Sequence, residues 1–551
     1  MKQLVWIADF FLEDGLGGAE IVNNIVMDEL TDLGWQIQKI HSKDVTPEYI
    51  IDNKDCKFVI ANFLQINPVS YEALVKNAEY YVYEHDHKYV KTRDPSYFEA
   101  TDYVAPTEML ANTPLYRNAK AVICQSGLHA RVVRDNLLLD NVVNMKCSLW
   151  GREEISILRK NCNVEKTENA LILDSVHKSK GTPQAVAYAQ KNNIDCNLIG
   201  KVSYEKLIES LAVHETLIFF PQTLESFCRL IVEARALNCK LITNKNNGAA
   251  YEEWFPTLQG EDLIQYLEAH RSLAVAQLDT LFSTGTCDWF IEPKSFPKVS
   301  LVTSMYKGEK HIRSFLEDIT AQTAFKDCEL IIINANSPEN EDPVIEEYME
   351  KHDNIVYKKL DKDPGIYGVW NLGIEMATGE YISNANLDDR RSPLHVELHA
   401  LELARNPDID LVYAESFVTP NDHENFIANS SEGRVYPIAD FSNENMIKCL
   451  PGCMPVWRKS MHDSAGLFEA DYRYAGDWEM WLRAVRSGST FRRLPGVHGM
   501  YYMNPDGLST SPENEKVRFG EEKQIFWEYT DIFGKEVTEH FSEYFSGTRG
   551  E

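Results

Sequence analysis

The chain reads as an α/β protein of two successive modules, and three observations predict this. Short apolar runs alternate with amphipathic helical patterns, the pattern expected of parallel sheets covered by helices on both faces. The alternation starts once in the first residues and again at Lys298, after a stretch carrying Gly285, Pro293 and Pro297. The length of 551 residues also exceeds what a single hydrophobic core organises.

Strands of the first module are predicted at 4–11, 58–63, 80–84, 121–125, 170–173, 216–220 and 240–243. Each is a short buried-type run, and polar or glycine-bearing stretches separate them. Helical periodicity covers 18–33, 182–191 and 226–237. A stretch rich in charge and asparagine near 151–168 divides this module into expected halves, 1–165 and 166–280. Residues 281–297 read as a linker. The second βα series spans 298–510, and 511–551 reads as a polar helical extension without chemistry of its own.

Bulk properties narrow the function. A formal net charge of −29 repels a polyanion, so nucleic acid is a disfavoured partner. No run of about 18 apolar residues occurs, so no membrane span is expected. The opening Met1-Lys2-Gln3-Leu4 runs into Asp9, Glu13 and Asp14 as a first strand would, not as a signal peptide. The eleven cysteines include no CxxC pair and no zinc-like Cys/His spacing, which reads as reduced thiols in a cytoplasmic protein. Arg483, Arg486, Arg492 and Arg493 read as a solvated basic face, and Ser126 with His129 lacks a nucleophile-elbow context.

The chemistry concentrates in two segments of the second module. In 381–393 an apolar strand ends in Asn386, Leu387, Asp388 and Asp389. Ligands bind at the carboxyl ends of strands in open α/β sheets, and a helix cap there would use one aspartate, not two. A divalent cation carrying a diphosphate would neutralise the pair. In 471–483, Asp477 stands at a helix start ahead of Trp478, Trp481 and Leu482, where it reads equally as an N-cap.

Taken together, residues 298–510 resemble the glycosyltransferase family 2 module, of GT-A fold. Lys298 to Thr303 with Tyr306 resembles its opening strand and nucleotide loop. Asp363 to Asn371, with Gly373 and Ala377-Thr-Gly-Glu-Tyr-Ile382, resembles its DxGIYDAMNxG…ATGEYI segment. Asn386 to Asp389 falls at its metal motif, and Leu467-Phe-Glu469 with Gly476 to Arg483 resembles GxFDE…EDWELWLR. The resemblance implies Asp477 as catalytic base and Asp388 as ligand to Mn²⁺ or Mg²⁺. It implies donor contacts from Thr303, Tyr306, Asn334, Asn336, Asp363, Asn386 and Asp389. The reaction implied is an inverting transfer from a nucleotide sugar, expected to be UDP-linked, to a glycan or other hydroxyl acceptor. Three departures stand out. Asn334-Ala-Asn336-Ser337 replaces VDDGS, Gly476 replaces an acid, and Asn504 or His498 stands near the position of a histidine ligand.

The first module carries Gly17-Gly18-Ala19-Glu20 at the start of a helix, where backbone amides favour phosphate. Glu225 and Glu233, eight residues apart, bracket a second helix start. With Lys180 and His85 these residues resemble glycosyltransferase family 4, a GT-B fold of two Rossmann-like halves. That resemblance implies donor contacts from Gly17, Gly18, His85, Lys180, Glu225 and Glu233. Ser175 and Cys228 depart from it, where an arginine and a glycine are expected. The chain is therefore read as a GT-B-like pair followed by a GT-A-like nucleotide-sugar transferase domain. Alternatives are a bifunctional glycan polymerase, a non-catalytic carbohydrate-binding or scaffold protein, and a hydroxymethylated base of phage DNA as acceptor.

Overall fold

The structure is a computed structural model and describes residues 2–15, 17–422, 424–505, 507–508 and 510–547. The chain divides into two compact units, 1–295 and 296–551.

Unit 1 contains two all-parallel sheets. The first has six strands, β1 (Gln3–Ala8), β2 (Gln36–His41), β3 (Lys57–Ile60), β4 (Glu79–Tyr83), β5 (Val122–Cys124) and β6 (Val142–Asn144), in the order β2-β1-β3-β4-β5-β6. The second has four, β7 (Glu168–Leu173), β8 (Cys196–Ile199), β9 (His214–Phe219) and β10 (Lys240–Thr243), in the order β10-β9-β7-β8. Strands such as β1 are apolar along their length because helices cover both faces. The helix Gly260–Thr284 joins the two cores: Leu263, Ile264 and Leu267 pack with the second sheet, Ala274, Leu278 and Phe282 with the first.

Two stretches without regular sequence pattern are ordered here. Within 151–168 lies the helix Arg152–Asn161, with Glu153 and Glu154 in its first turn and Arg159 and Lys160 in its last, the charge order its dipole favours. Within 281–297, the Asn144 amide donates to the Trp289 carbonyl at 2.9 Å and Ile291 donates to Val142 at 3.0 Å. This segment covers the open edge of β6, which would otherwise expose unpaired backbone.

Unit 2 is built on a nine-stranded mixed sheet. Its strands are β11 (Val299–Met305), β12 (Cys328–Asn334), β13 (Ile355–Lys359), β14 (Tyr381–Asn384), β15 (Arg390–Arg391), β16 (Leu411–Thr419), β17 (Val435–Tyr436), β18 (Val456–Arg458) and β19 (Phe491–Tyr502). The order is β13-β12-β11-β14-β18-β16-β19-β15, with β17 on β16. β13, β12, β11 and β14 are mutually parallel, so their carboxyl ends share one edge of the sheet. Side-chain alternation divides the core: Leu330 and Ile332 face one layer, Ile331 and Ile333 the other. The second layer contains Trp370, Trp457, Trp478 and Trp481, closed by Phe519, Phe526, Phe533 and Phe545 from the helices Glu515–Glu528 and Thr530–Ser546.

Candidate active site

Three turns meet at the carboxyl edge of the parallel strands. Within β11 Thr303 is fully buried; after the strand Tyr306 is exposed and Lys307 takes a left-handed φ of 52°. The Gly308 amide donates to Glu341 Oε1 at 2.9 Å, and the Lys307 amide donates to Ser337 Oγ at 3.0 Å. Ser337 Oγ in turn donates to Glu341 at 2.6 Å, so the first two turns are held by one buried carboxylate. A Cβ at Gly308 would lie 2.7 Å from Leu387 Cδ1, which fixes how closely the third turn approaches.

The second turn accounts for a departure from the family pattern. Tyr357 donates its hydroxyl proton to Asp342 Oδ1 at 2.5 Å, so its oxygen needs a donor, which Asn334 Nδ2 supplies at 3.0 Å. A carboxylate at 334 has no proton to give there. Asn334 Oδ1 takes the Ser337 amide at 2.7 Å, so this side chain is engaged within the turn. Asn336 is exposed, with a left-handed φ of 58°. Asp363, also exposed, accepts the Gly365 amide at 2.8 Å ahead of the helix Ile366–Met376.

The third turn carries the carboxylate pair, whose members differ. Asp389 is buried and accepts Asn386 Nδ2 at 3.0 Å and the Tyr502 amide at 3.4 Å. Burial, reinforced by the neighbouring Asp388 carboxylate, raises its pKa to about 7. Asp388 is half-buried and receives Asn504 Nδ2 at 3.0 Å. His498 contacts the Pro495 carbonyl and packs edge-on against His399, so it is Asn504 that meets Asp388.

Sequence reasoning missed the two arginines that follow. Arg390 Nη1 donates to the carbonyls of Leu387 and Asp389 at 2.9 and 2.8 Å, and Arg391 Nη2 donates to the Asn384 carbonyl at 2.5 Å. Both are buried and fix the backbone of the acidic turn. An Arg-Arg pair directly after two acids was the available signal.

Asp477 lies in the first turn of the helix Gly476–Arg486. Its Oδ1 accepts the Trp478 amide at 2.9 Å and the Tyr367 hydroxyl at 3.3 Å, whereas among the described residues Oδ2 has only the Cys449 thiol at 3.8 Å. Burial raises its pKa. Gly476 is explained by Tyr367, whose ring would lie 2.7 Å from a Cβ there. The ATGEYI segment is structural. Glu329 accepts the Thr378 amide and hydroxyl at 2.5 and 2.8 Å, at the opposite end of β14 from the acidic turn.

In unit 1, the structure joins some predicted residues and separates others. Lys180 Nζ pairs with Glu225 Oε1 at 2.7 Å, and the adjacent Ser226 Oγ donates to the His85 carbonyl at 2.7 Å. The His85 ring is buried between Asn23 Oδ1 and Gln125 Nε2 at 2.7 and 2.8 Å. Burial, aided by the Lys88 cation, lowers its pKa to about 3, so it stays neutral. Gly17 caps the helix that begins at Gly18, and a Cβ on Gly17 would lie 2.1 Å from a Glu20 carboxylate oxygen. Glu233 belongs to a different group: it is buried, accepts Trp150 Nε1 at 3.0 Å and lies 3.6 Å from Arg229. Cys228 has φ of 72°, a conformation that suits glycine.

A family model described as Glycosyl transferase family 2 matches residues 300–463. The chain carries a family 2 glycosyltransferase domain. The matched span includes the three turns and ends before Asp477. Curated relatives agree with this glycosyltransferase assignment. The uncharacterized glycosyltransferase YwdF of Bacillus subtilis is 26% identical over 224 residues, 39% of this chain and 78% of that protein. The uncharacterized glycosyltransferase RT0329 of Rickettsia typhi is 24% identical over 198 residues, 35% of this chain and 61% of its own length. Among solved structures, Staphylococcus aureus TarS 1-349 in complex with UDP is similar at 16% identity and a TM-score of 0.35, covering 44% of this chain and 72% of that one. The mannosyltransferase PcManGT of Pyrobaculum calidifontis, in complex with GDP-Man and Mn²⁺, is similar at 16% identity and a TM-score of 0.35, covering 45% and 70%. The protein is thus a glycosyltransferase. Among the described residues, no helix is long and apolar enough to cross a membrane.

Proposed function

We propose that unit 2 transfers a sugar from a nucleotide sugar, UDP-linked, to a glycan or other hydroxyl acceptor, with inversion. The observation that carries this is the asymmetry of Asp477, whose Oδ1 is held by two donors while Oδ2, among the described residues, faces only a distant thiol. Oδ2 is then the atom that takes the acceptor proton as the hydroxyl attacks the anomeric carbon. Burial raises its basicity, and general-base catalysis of this kind contributes about 10²–10⁴-fold.

The acidic turn fits Mn²⁺ or Mg²⁺. Among the described residues no three His, Cys, Asp or Glu side chains converge, so a protein-only cage is not the design. The hard oxygen of Asp388, joined by Asn504 Oδ1 if its amide turns over, matches a cation that takes one or two protein ligands and completes its shell with phosphate. Bound there, the ion would neutralise charge developing on the departing diphosphate. Asn386, Asp389 and the arginines hold the turn, while the exposed Tyr306, Asn336 and Asp363 would meet the nucleoside end and the buried Thr303 would support it from within β11.

Unit 1 we read as a GT-B-like pair of halves that serves this reaction as an accessory module. Lys180 is paired with Glu225, and Glu233 is enclosed with Trp150 and Arg229, so neither acid stands free. We place the protein in the cytoplasm and keep nucleic acid as a disfavoured acceptor. The test is a panel of UDP- and GDP-sugars measured by calorimetry with Mn²⁺ and with EDTA. A UDP-sugar should bind in a metal-dependent way, and Asp388→Ala should weaken that binding at least about tenfold. Equal affinity and turnover in EDTA would remove the metal from the mechanism.

A further inference from the structure

The loop that delivers Asp477 is held from outside the family 2 span. Glu521, on the helix Glu515–Glu528, accepts three consecutive backbone amides: Arg473 on Oε1 at 2.9 Å, and Tyr474 and Ala475 on Oε2 at 2.8 and 3.0 Å. Ala475 is the N-cap of the helix that carries Asp477, and its own side chain cannot cap. The carboxylate of Glu521 therefore satisfies donors just before that helix start, with charge-assisted bonds of the stronger class. Two further contacts fix the same segment: Tyr474 donates its hydroxyl to Asn514 Oδ1 at 3.0 Å, and Tyr529 donates to Glu479 Oε1 at 2.7 Å, two residues beyond Asp477. Trp478, next to Asp477, stacks on Phe533 with ring centroids 6.2 Å apart.

We propose that Glu521 is a positioning residue for the transfer reaction, setting the place of the Asp477 carboxylate through the 473–475 backbone. The proposal rests on the reading of Asp477 as general base. A displacement of about 1 Å in a reacting group costs up to about 10²-fold in rate, so loosening this loop acts on turnover and leaves donor affinity alone.

The experiment uses the full chain and the nucleotide sugar that binds most tightly in the panel above, with turnover read as nucleotide release. Glu521→Gln turns one donor-accepting oxygen into an NH₂ group facing backbone amides. We expect kcat to fall about tenfold, with the donor KM within about twofold. Glu521→Asp, which keeps both oxygens on a shorter arm, should recover part of that loss. Should E521Q fail to fold, E521D alone should show the reduced kcat at unchanged KM. Amide exchange at 473–475 should accelerate in the variants. In the Asp477→Asn background the Glu521 change should cost nothing more, because the group it positions is already disabled. The same fold loss in both backgrounds, or faster amide exchange with wild-type kcat, would overturn the proposal. Wild-type turnover in Asp477→Asn would instead sink the base reading, and the exchange data would still report whether the clamp exists.

Discussion

Asp477 and Asp389 are both acids pushed upward by burial, yet their surroundings suit them to different tasks. Asp389 is enclosed by Asn386 and the Tyr502 backbone, whereas Asp477 keeps one oxygen nearly unengaged. Asp477→Asn should leave donor affinity nearly intact and cut turnover at least about 10²-fold, measured on one sample by calorimetry and nucleotide release. The sign of the pH dependence follows from the same burial. A base whose pKa is raised in the folded enzyme becomes protonated earlier as pH falls, so kcat/KM should decline on acidification above the ordinary aspartate range. An acid limb in that ordinary range would separate Asp477 from proton transfer. At this scale the sequence showed the acids but not their environments. The role of Asn334 depends on Tyr357 and Asp342, and that of Gly476 on a ring from another helix, which spacing along the chain does not reveal.

Among elements, apolar strands were legible and polar rim strands were not. β4 falls within one residue of its expected span and β1 within a few, because buried strands are written as apolar runs, and even the rim strand β10, Lys-Leu-Ile-Thr, falls at its expected residues. β2 and β8, at the rims of their sheets, are largely exposed and carry lysine, glutamine and asparagine, so no apolar run announces them. The helices of 515–546 were read as polar for a related reason. Phe519, Phe526 and Phe533 recur every seven residues and are buried with Phe545, but exposed Trp527 and Tyr544 and many charged residues between them dilute that signal. Turn chemistry makes a sharper prediction in unit 1. Gly181 has φ of 68°, and a Cβ there would lie 1.8 Å from the Phe220 carbonyl oxygen. Gly181→Ala should therefore destabilise unit 1 by more than about 1–2 kcal/mol and shift Lys180 away from Glu225. A melting temperature equal to wild type would show that the turn relaxes freely.

Each of the two units has its own sheets and cores, which argues that they fold separately. A fragment covering 296–551 should unfold cooperatively and retain metal-dependent nucleotide-sugar binding. A well-folded fragment without activity would mean that catalysis needs unit 1. A fragment ending at 510 should fail even to fold, since it leaves the tryptophan layer uncovered. That layer also has a consequence for biosynthesis. Trp370 is polymerised 175 residues before Phe545, its last aromatic neighbour in the same core. At typical elongation rates the delay is roughly 9–35 s. The last of the four tryptophans, Trp481, precedes Phe545 by 64 residues, roughly 3–13 s, during which all four lie on a face the later helices have yet to cover. Over that interval the uncovered indole layer is an aggregation hazard, relieved when the helix Thr530–Ser546 packs on it.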